Sequence, residues 1–331
     1  MFILENYSTA VLFCIITMLC WGSWANTQKL AAGSWRFELF YWDYVIGILL
    51  LTLVFAFTLG SNGSQGRGFM ADLEKADNSN LYSSILGGVI FNAANILLVA
   101  AIAIAGMSVA FPVGIGIALV LGVIVNYIDL PEGNPLWLFS GVALIALAII
   151  LNARAYQKTS SANASPTTKG LVLSVVAGLL MAFFYRFVAK SMFPDFTNPE
   201  AGKLSPYTAM VFFAIGILIS NFLFNTYIMK KPFVGSPVSF GDYFKGSFRN
   251  HLTGILGGVI WCIGMSFSII ASGKAGTAIS YGLGQGATVV AAIWGIFIWR
   301  EFKNAPKGIS NLLYGMLFLY IAGIALIIYA R

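Results

Sequence analysis

This chain has little charge. Asp, Glu, Lys and Arg make up 9% of its 331 residues, where a soluble domain carries about 25%. With 59% of residues hydrophobic, so little charge cannot dress a water-facing surface, and a soluble globular fold is excluded. Histidine is nearly missing. His251 is the sole copy and sits at the start of an apolar run, so neither a histidine-based metal site nor a histidine proton relay is expected. The three cysteines, Cys14, Cys20 and Cys262, all fall inside apolar runs. An odd number with none in a loop reads as small apolar packers, not disulfides or metal ligands. There is no Walker-type loop, no nucleophile triad and no metal-ligand spacing, so no enzyme and no cofactor is expected; isolated Gly-x-Gly strings inside apolar runs are weak evidence for nucleotide binding.

What is present is apolar sequence in long runs. A membrane-spanning helix needs roughly 20 mostly apolar residues, and ten such stretches are centred in 8–27, 41–59, 82–104, 107–128, 136–153, 170–189, 207–229, 251–272, 276–299 and 310–330. The expected fold is an all-α polytopic membrane protein of ten transmembrane helices. Glu5 precedes the first run and no A-x-A-like cleavage site closes it, so it reads as a retained span and not a signal peptide. The net charge of +7 invites a nucleic-acid partner, but its distribution argues otherwise. Alternate loops collect twelve cations: Lys29, Arg36, Arg154, Lys158, Lys169, Lys230, Lys231, Lys245, Arg249, Arg300, Lys303 and Lys307. The opposite loops hold six: Arg67, Lys75, Lys190, Lys203, Lys274 and Arg331. This positive-inside bias places the first set in the cytoplasm and both termini outside the cytoplasmic (inner) membrane. The partner is then the lipid bilayer.

A six-residue string occurs twice. Ile85-Leu86-Gly87-Gly88-Val89-Ile90 returns as Ile255-Leu256-Gly257-Gly258-Val259-Ile260, and at the same offset of 170 Phe111 falls on Tyr281, Gly114 on Gly284 and Gly116 on Gly286. Two five-span halves follow, 1–153 and 170–331, joined by a cytoplasmic linker at 154–169 that is rich in Ser, Thr, Asn and Ala. An odd number of spans per half inverts the second in the membrane. This 5+5 inverted repeat is the signature of a secondary transporter with a midplane site. The loop Gly60–Leu81 reads as a solvated external connector.

The candidate site residues follow from where polar groups interrupt apolar runs. Spans four and nine open through Gly- and Pro-bearing segments, Ala110–Gly116 and Ser280–Gly286. Freed backbone groups survive in a membrane only when packed in protein or facing a cavity. Trp21, Trp24 and Gln28 share a helical face, where aromatic rings beside an amide suit a ring-shaped polar solute; an interfacial aromatic belt is the plainer reading. Asn92 and Asn95 lie one turn apart in span three and serve either as interhelical glue or as solute contacts. Tyr281 and Gln285 share a face of span nine, and Asn221 and Asn225 repeat the pattern in span seven. Glu38 and Asp43 flank the start of span two. Burial of Asp43 among aromatic neighbours would disfavour its charged form, as a proton carrier requires, whereas an ion pair with Arg36 or Lys29 is the structural alternative. Arg186 stands in span six, either snorkelling outward or pairing with an acidic group or an oxygen-rich solute.

These pieces resemble the ureide permeases, a branch of the drug/metabolite transporter superfamily related to the glucose/ribose porters. The resemblance spans nearly the whole chain. Gly22-Ser23-Trp24, Tyr41-Trp42-Asp43-Tyr44, Ala56–Gly60, Gly87-Gly88, Asn126-Tyr127, Gly257–Trp261, Trp294-Gly295 and Glu301 carry it. It implies a ten-helix carrier moving small polar solutes, often with protons: ureides and nucleobase-like compounds in plant members, sugars in bacterial relatives. Plant members tend to have a much longer central loop than Ala155–Thr168 here. The expectation is a proton-coupled symporter for a small uncharged polar solute, with Trp21, Asn92, Asn95, Trp261, Tyr281 and Gln285 at the solute and Asp43 or Glu38 at the proton. A sugar-specific porter, a passive facilitator and a drug/metabolite exporter are the alternatives.

Overall fold

The computed structural model describes residues 1–31, 33, 35–105, 110–159, 168–303, 305–306 and 308–331. Fourteen helices follow one another: α1 Tyr7–Ser23, α2 Ala25–Ala31, α3 Phe37–Phe57, α4 Phe69–Lys75, α5 Asn78–Ala105, α6 Gly116–Asp129, α7 Pro135–Thr159, α8 Thr168–Ser191, α9 Pro206–Lys230, α10 Phe240–Phe244, α11 Phe248–Ala275, α12 Thr277–Gln285, α13 Ala287–Ile293 and α14 Ile309–Tyr329. Two π-helical turns, Phe111–Ile115 and Trp294–Ile298, precede α6 and follow α13. Among the described residues no strand forms; only isolated bridges join Ala76 to Gly202 and Met192 to Leu204.

Among the described residues nine helical stretches are long and apolar enough to cross a membrane, and a tenth apolar helix, Val113–Asp129, is shorter. The chain is therefore a multi-pass membrane protein. Residues 107–109 of the expected fourth span, the linker residues 160–167 and Lys307 lie outside the described residues, as do the side chains of Phe111 and Pro112. Helix α7 continues to Thr159, six residues past the apolar run that announces it.

Local chemistry sets the helix ends. Asn6 caps α1 by accepting from the Thr9 amide at 2.9 Å. Ser205 caps α9, with Pro206 in the first turn where its missing N–H costs nothing. Ser239 and Asp242 close a reciprocal capping box on α10. Gly276, at φ +83°, turns α11 into α12 in a single residue, a conformation that a β-carbon would strain.

The repeated string packs the same way twice. A β-carbon on Gly88 would overlap the Phe213 carbonyl of α9, and one on Gly258 would overlap the Tyr44 carbonyl of α3. Gly216 lies against the Ile85 carbonyl and Gly47 against that of Ile255. Gly141 and Gly323 likewise face each other's carbonyls, bringing α7 onto α14. Helices without a hydrophobic drive between them associate through such backbone-to-backbone contacts. The two chain ends meet on one face: the Tyr7 hydroxyl donates to the Ile328 carbonyl at 2.6 Å, and the Arg331 guanidinium lies 5.4 Å from the Tyr7 ring centroid.

The loop after α3 is largely exposed, as its composition suggests, but it is anchored to the protein. It carries α4, and the buried Asp72 accepts from Arg67 Nε at 2.6 Å and from the Ser205 amide at 2.7 Å. A buried carboxylate is tolerable because both its charge and its lone pairs are met.

Candidate functional site

A cavity of about 220 Å³ lies between the helices. Its walls come from α1 and α2 (Trp21, Trp24, Gln28), α5 (Phe91, Asn95), the π turn before α6 (Ile115), α8 (Met181, Phe184), α11 (Trp261) and α12–α13 (Gln285, Thr288). Among the described residues no charged side chain lines it. The Trp21 and Trp261 rings are nearly parallel, 14° apart with centroids at 6.1 Å, and Phe91 meets Trp261 at 4.4 Å. Helix α1 breaks at Trp24, on the cavity wall, and α12 gives way to α13 at Gly286 just past Gln285. Interrupted helices at a cavity are where membrane backbone is free to bend.

The polar groups in this wall are incompletely used. Asn95 donates its amide to the Tyr41 hydroxyl at 3.1 Å, which leaves its carbonyl oxygen for other donors. The Trp21 indole N–H has no partner, and Gln285 makes no side-chain hydrogen bond among the described residues. Buried polar groups without partners cost about 1–3 kcal/mol each, so the site is built to be satisfied by something carrying donors and acceptors. Aromatic faces beside amides, without net charge, suit a small neutral ring compound.

A second polar cluster surrounds Asp43 at the start of α3. Its Oδ1 accepts from the Tyr243 hydroxyl at 2.7 Å and lies 2.9 Å from His251 Nδ1, while Oδ2 accepts from the Trp35 indole at 3.2 Å. Asp43 is 1% exposed. Burial, and then the adjacent Asp43 carboxylate, pushes the Tyr243 phenol well above the ordinary tyrosine value, so it remains a donor. Glu38 stands apart, held by Arg36 through two contacts of 3.1 and 2.7 Å. Arg36 also strides to the carbonyls of Val234 and Ser236, strapping the α9–α10 loop over α3.

The chain matches the family described as "Sugar transport protein" over residues 12–329. It belongs to that family. Ureide permease 1 of Arabidopsis thaliana is 22% identical over 99% of this chain and 98% of its own length. Ureide permease 2 of the same plant matches at 22% over the same shares. A solved crystal structure superposes with a TM-score of 0.60 at 13% identity, covering 97% of this chain and 96% of that one; at such identity the likeness is one of fold. The resemblance read from the sequence is thus met, and this family member is a membrane transporter of small solutes.

Four of the six expected solute residues line the cavity: Trp21, Asn95, Trp261 and Gln285. Asn92 and Tyr281 do not line it. Asn92 is fully buried behind the wall, accepting from the Tyr41 hydroxyl at 2.9 Å and donating to Ser220 at 2.9 Å. Tyr281 is fully buried beneath the wall, donating to the carbonyls of Ala118 and Met181. Each shares a face with the lining residue of its pair but sits one turn further along the helix, where neighbouring helices close over it. Arg186 neither snorkels freely nor reaches the cavity; it pairs with Asp129 at 2.6 Å, which Lys190 also approaches at 3.4 Å. Asp43 pairs with neither Arg36 nor Lys29, and Lys29 instead meets Glu301 at 2.6 Å. The residue that sequence reasoning set aside is His251. No signal in the sequence ties it to Asp43, because 208 positions separate them.

Proposed function

We propose that this family member is a secondary active transporter of the cytoplasmic membrane, moving a small uncharged polar solute in symport with protons. Ten membrane helices form two inverted five-helix repeats, 1–153 and 170–331, joined by 154–169, with both termini outside. The single observation that carries this reading is a charge-free cavity walled by both halves, with aromatic faces and unused amide, indole and carbonyl groups. The reciprocal glycine contacts of Gly88 and Gly258 support the repeat. The meeting of both chain ends on one face supports an even number of crossings.

The solute is a single small ring carrying several donors and acceptors, either a monosaccharide or a ureide- or nucleobase-like compound. Hydroxyls and ring amides alike satisfy Asn95, Gln285 and the Trp21 indole, and both ring types offer a face to Trp261. Uptake into proteoliposomes of labelled glucose, rhamnose, allantoin and uracil, with and without an inward proton gradient, tests it. Gradient-driven accumulation of one of them is expected; equilibration unaffected by the gradient would replace the symporter with a facilitator.

Of the two acidic candidates, Asp43 is the better proton carrier. Glu38 is forked to a guanidinium, which does not give up its proton. Asp43 is buried and, among the described residues, meets no guanidinium or ammonium; its oxygens face His251, Tyr243 and Trp35. An Asp43→Asn variant is expected to exchange solute across the membrane but no longer concentrate it. Undiminished accumulation by that variant under a proton gradient rules Asp43 out.

A further inference from the structure

A second cavity, of about 310 Å³, lies nearer the face that carries both termini. Its wall includes Asn126, Asp129, Lys190, Ser272 and Thr277. Four helices reach from one cavity to the other in the same order. On α12, Gln285 lines the first cavity and Thr277 the second, with Tyr281 midway, all on one helical face. On α8, Met181 lines the first, and Ala189 and Lys190 the second, with Tyr185 between. Trp261, Ser268 and Ser272 repeat the order on α11, and Ile115, Gly122 and Asn126 repeat it through the π turn and α6.

The layer between the cavities is a single plane of side chains. Tyr281 and Tyr185 are both fully buried and meet edge to face with centroids 5.3 Å apart. The Tyr281 hydroxyl lies 3.0 Å from the Ala118 carbonyl and 3.1 Å from that of Met181, tying α12 to α6 and α8. Tyr185 reaches Ser268, whose carbonyl accepts from Ser280 at 2.6 Å. Gly122 leaves room for the Tyr281 ring, since a β-carbon there would overlap it. The bonds in this layer join different helices.

We infer that the second cavity is a further binding site for the same uncharged, hydrogen-bonding solute, on one path with the first, and that the Tyr281–Tyr185 layer is the gate between them. The inference rests on the carrier reading for its solute, but not for its geometry. It predicts a weaker site than the first, because Asn126 and Thr277 are joined to the backbone of their own and neighbouring helices at 2.8 and 3.4 Å.

The test is thiol accessibility in sealed proteoliposomes, with a charged, membrane-impermeant methanethiosulfonate added on the side of the termini. The native chain, with its three cysteines, supplies the baseline. Thr277→Cys should react well above that baseline, Gln285→Cys at least tenfold more slowly than Thr277→Cys, and Gln285→Cys combined with Tyr281→Ala at a rate restored to within a few-fold. Tyr281→Phe keeps the ring and the packing while cutting the bonds to Ala118 and Met181, and should raise Gln285→Cys labelling several-fold where the alanine variant does not fold. Equal labelling of Gln285→Cys with Tyr281 intact, or no gain in either Tyr281 variant, overturns the gate. Thr277→Cys at baseline overturns the open second cavity. Labelling needs neither solute nor gradient, so a failure of the uptake assay leaves it readable. The solute that accumulates in that assay, at saturating concentration, should slow Thr277→Cys modification; no protection overturns the second binding site.

Discussion

Residues 85–95 and 255–265 build one backbone twice and give it different chemistry. Gly88 and Gly258 seat their helices on a carbonyl of the neighbouring helix in the same way. Phe91 and Trp261 stand at the shared offset of 170 and meet at a 32° tilt, centroids 4.4 Å apart, in the cavity wall. One residue further on, the copies part. Asn92 binds Tyr41 and Ser220, whereas the matching Cys262 only approaches Ser266 at 3.8 Å. Asn95 lines the cavity, whereas the matching Met265 is a fully buried packer. Span nine brings Gln285 to the cavity and span four brings Ile115 at the matching position. The lesson is that steric requirements are duplicated because both crossings need them, while the polar lining of the cavity is divided between the copies.

The strongest way to break this comparison is steric. Gly88→Leu and Gly258→Leu each push a side chain into a backbone carbonyl, where overpacking costs about 1–3 kcal/mol and more when backbone must move. Both variants should lose folded protein to a similar degree in detergent, followed by size-exclusion profile and thermal scan. Sensitivity at only one of the two glycines would show that the copies are not mechanically equivalent. Next comes the divided chemistry. Asn92→Ala leaves the buried Tyr41 hydroxyl without its acceptor, while Ser220 keeps its bond to the Gly216 carbonyl, and should cost about 1–3 kcal/mol. Cys262→Ala should cost about 1 kcal/mol or less. Equal effects on thermal stability would erase the asymmetry.

Smaller still are the effects on solute binding. Trp261→Ala removes the ring parallel to Trp21 and should weaken binding about tenfold, or ~1.4 kcal/mol. Phe91→Ala removes a contact to that ring and should weaken it only a few-fold. Tryptophan fluorescence titration with the transported solute reads the Phe91 variant, and uptake KM reads both. A larger loss at Phe91 than at Trp261 reverses the assignment of the main stacking face.

The apolar runs show how much was legible beforehand. Nine of the expected stretches correspond to helices long enough to cross a membrane, because bilayer thickness fixes their length and apolar character directly. Trp21, Asn95, Trp261 and Gln285 line the cavity, and they stood out in the sequence for a similar reason: a polar or aromatic group inside an apolar run needs a local purpose. Asn92 and Tyr281 carry the same signal and yet face other helices. Composition says that such a group must find partners, and only tertiary packing at its depth says whether it faces a cavity or a neighbouring helix.

The sequence by itself determined the membrane setting, the number and extent of most apolar helices, the internal repeat and the lack of charge where a neutral solute would sit. These depend on local composition and on spacing along the chain. Tertiary structure alone decided that His251 and Tyr243 close on Asp43, that Arg186 meets Asp129, and that Tyr281 meets Tyr185 edge to face. Those outcomes depend on how helices distant in sequence cross and rotate, and the glycines that set the crossings carry no chemistry that would announce their partners.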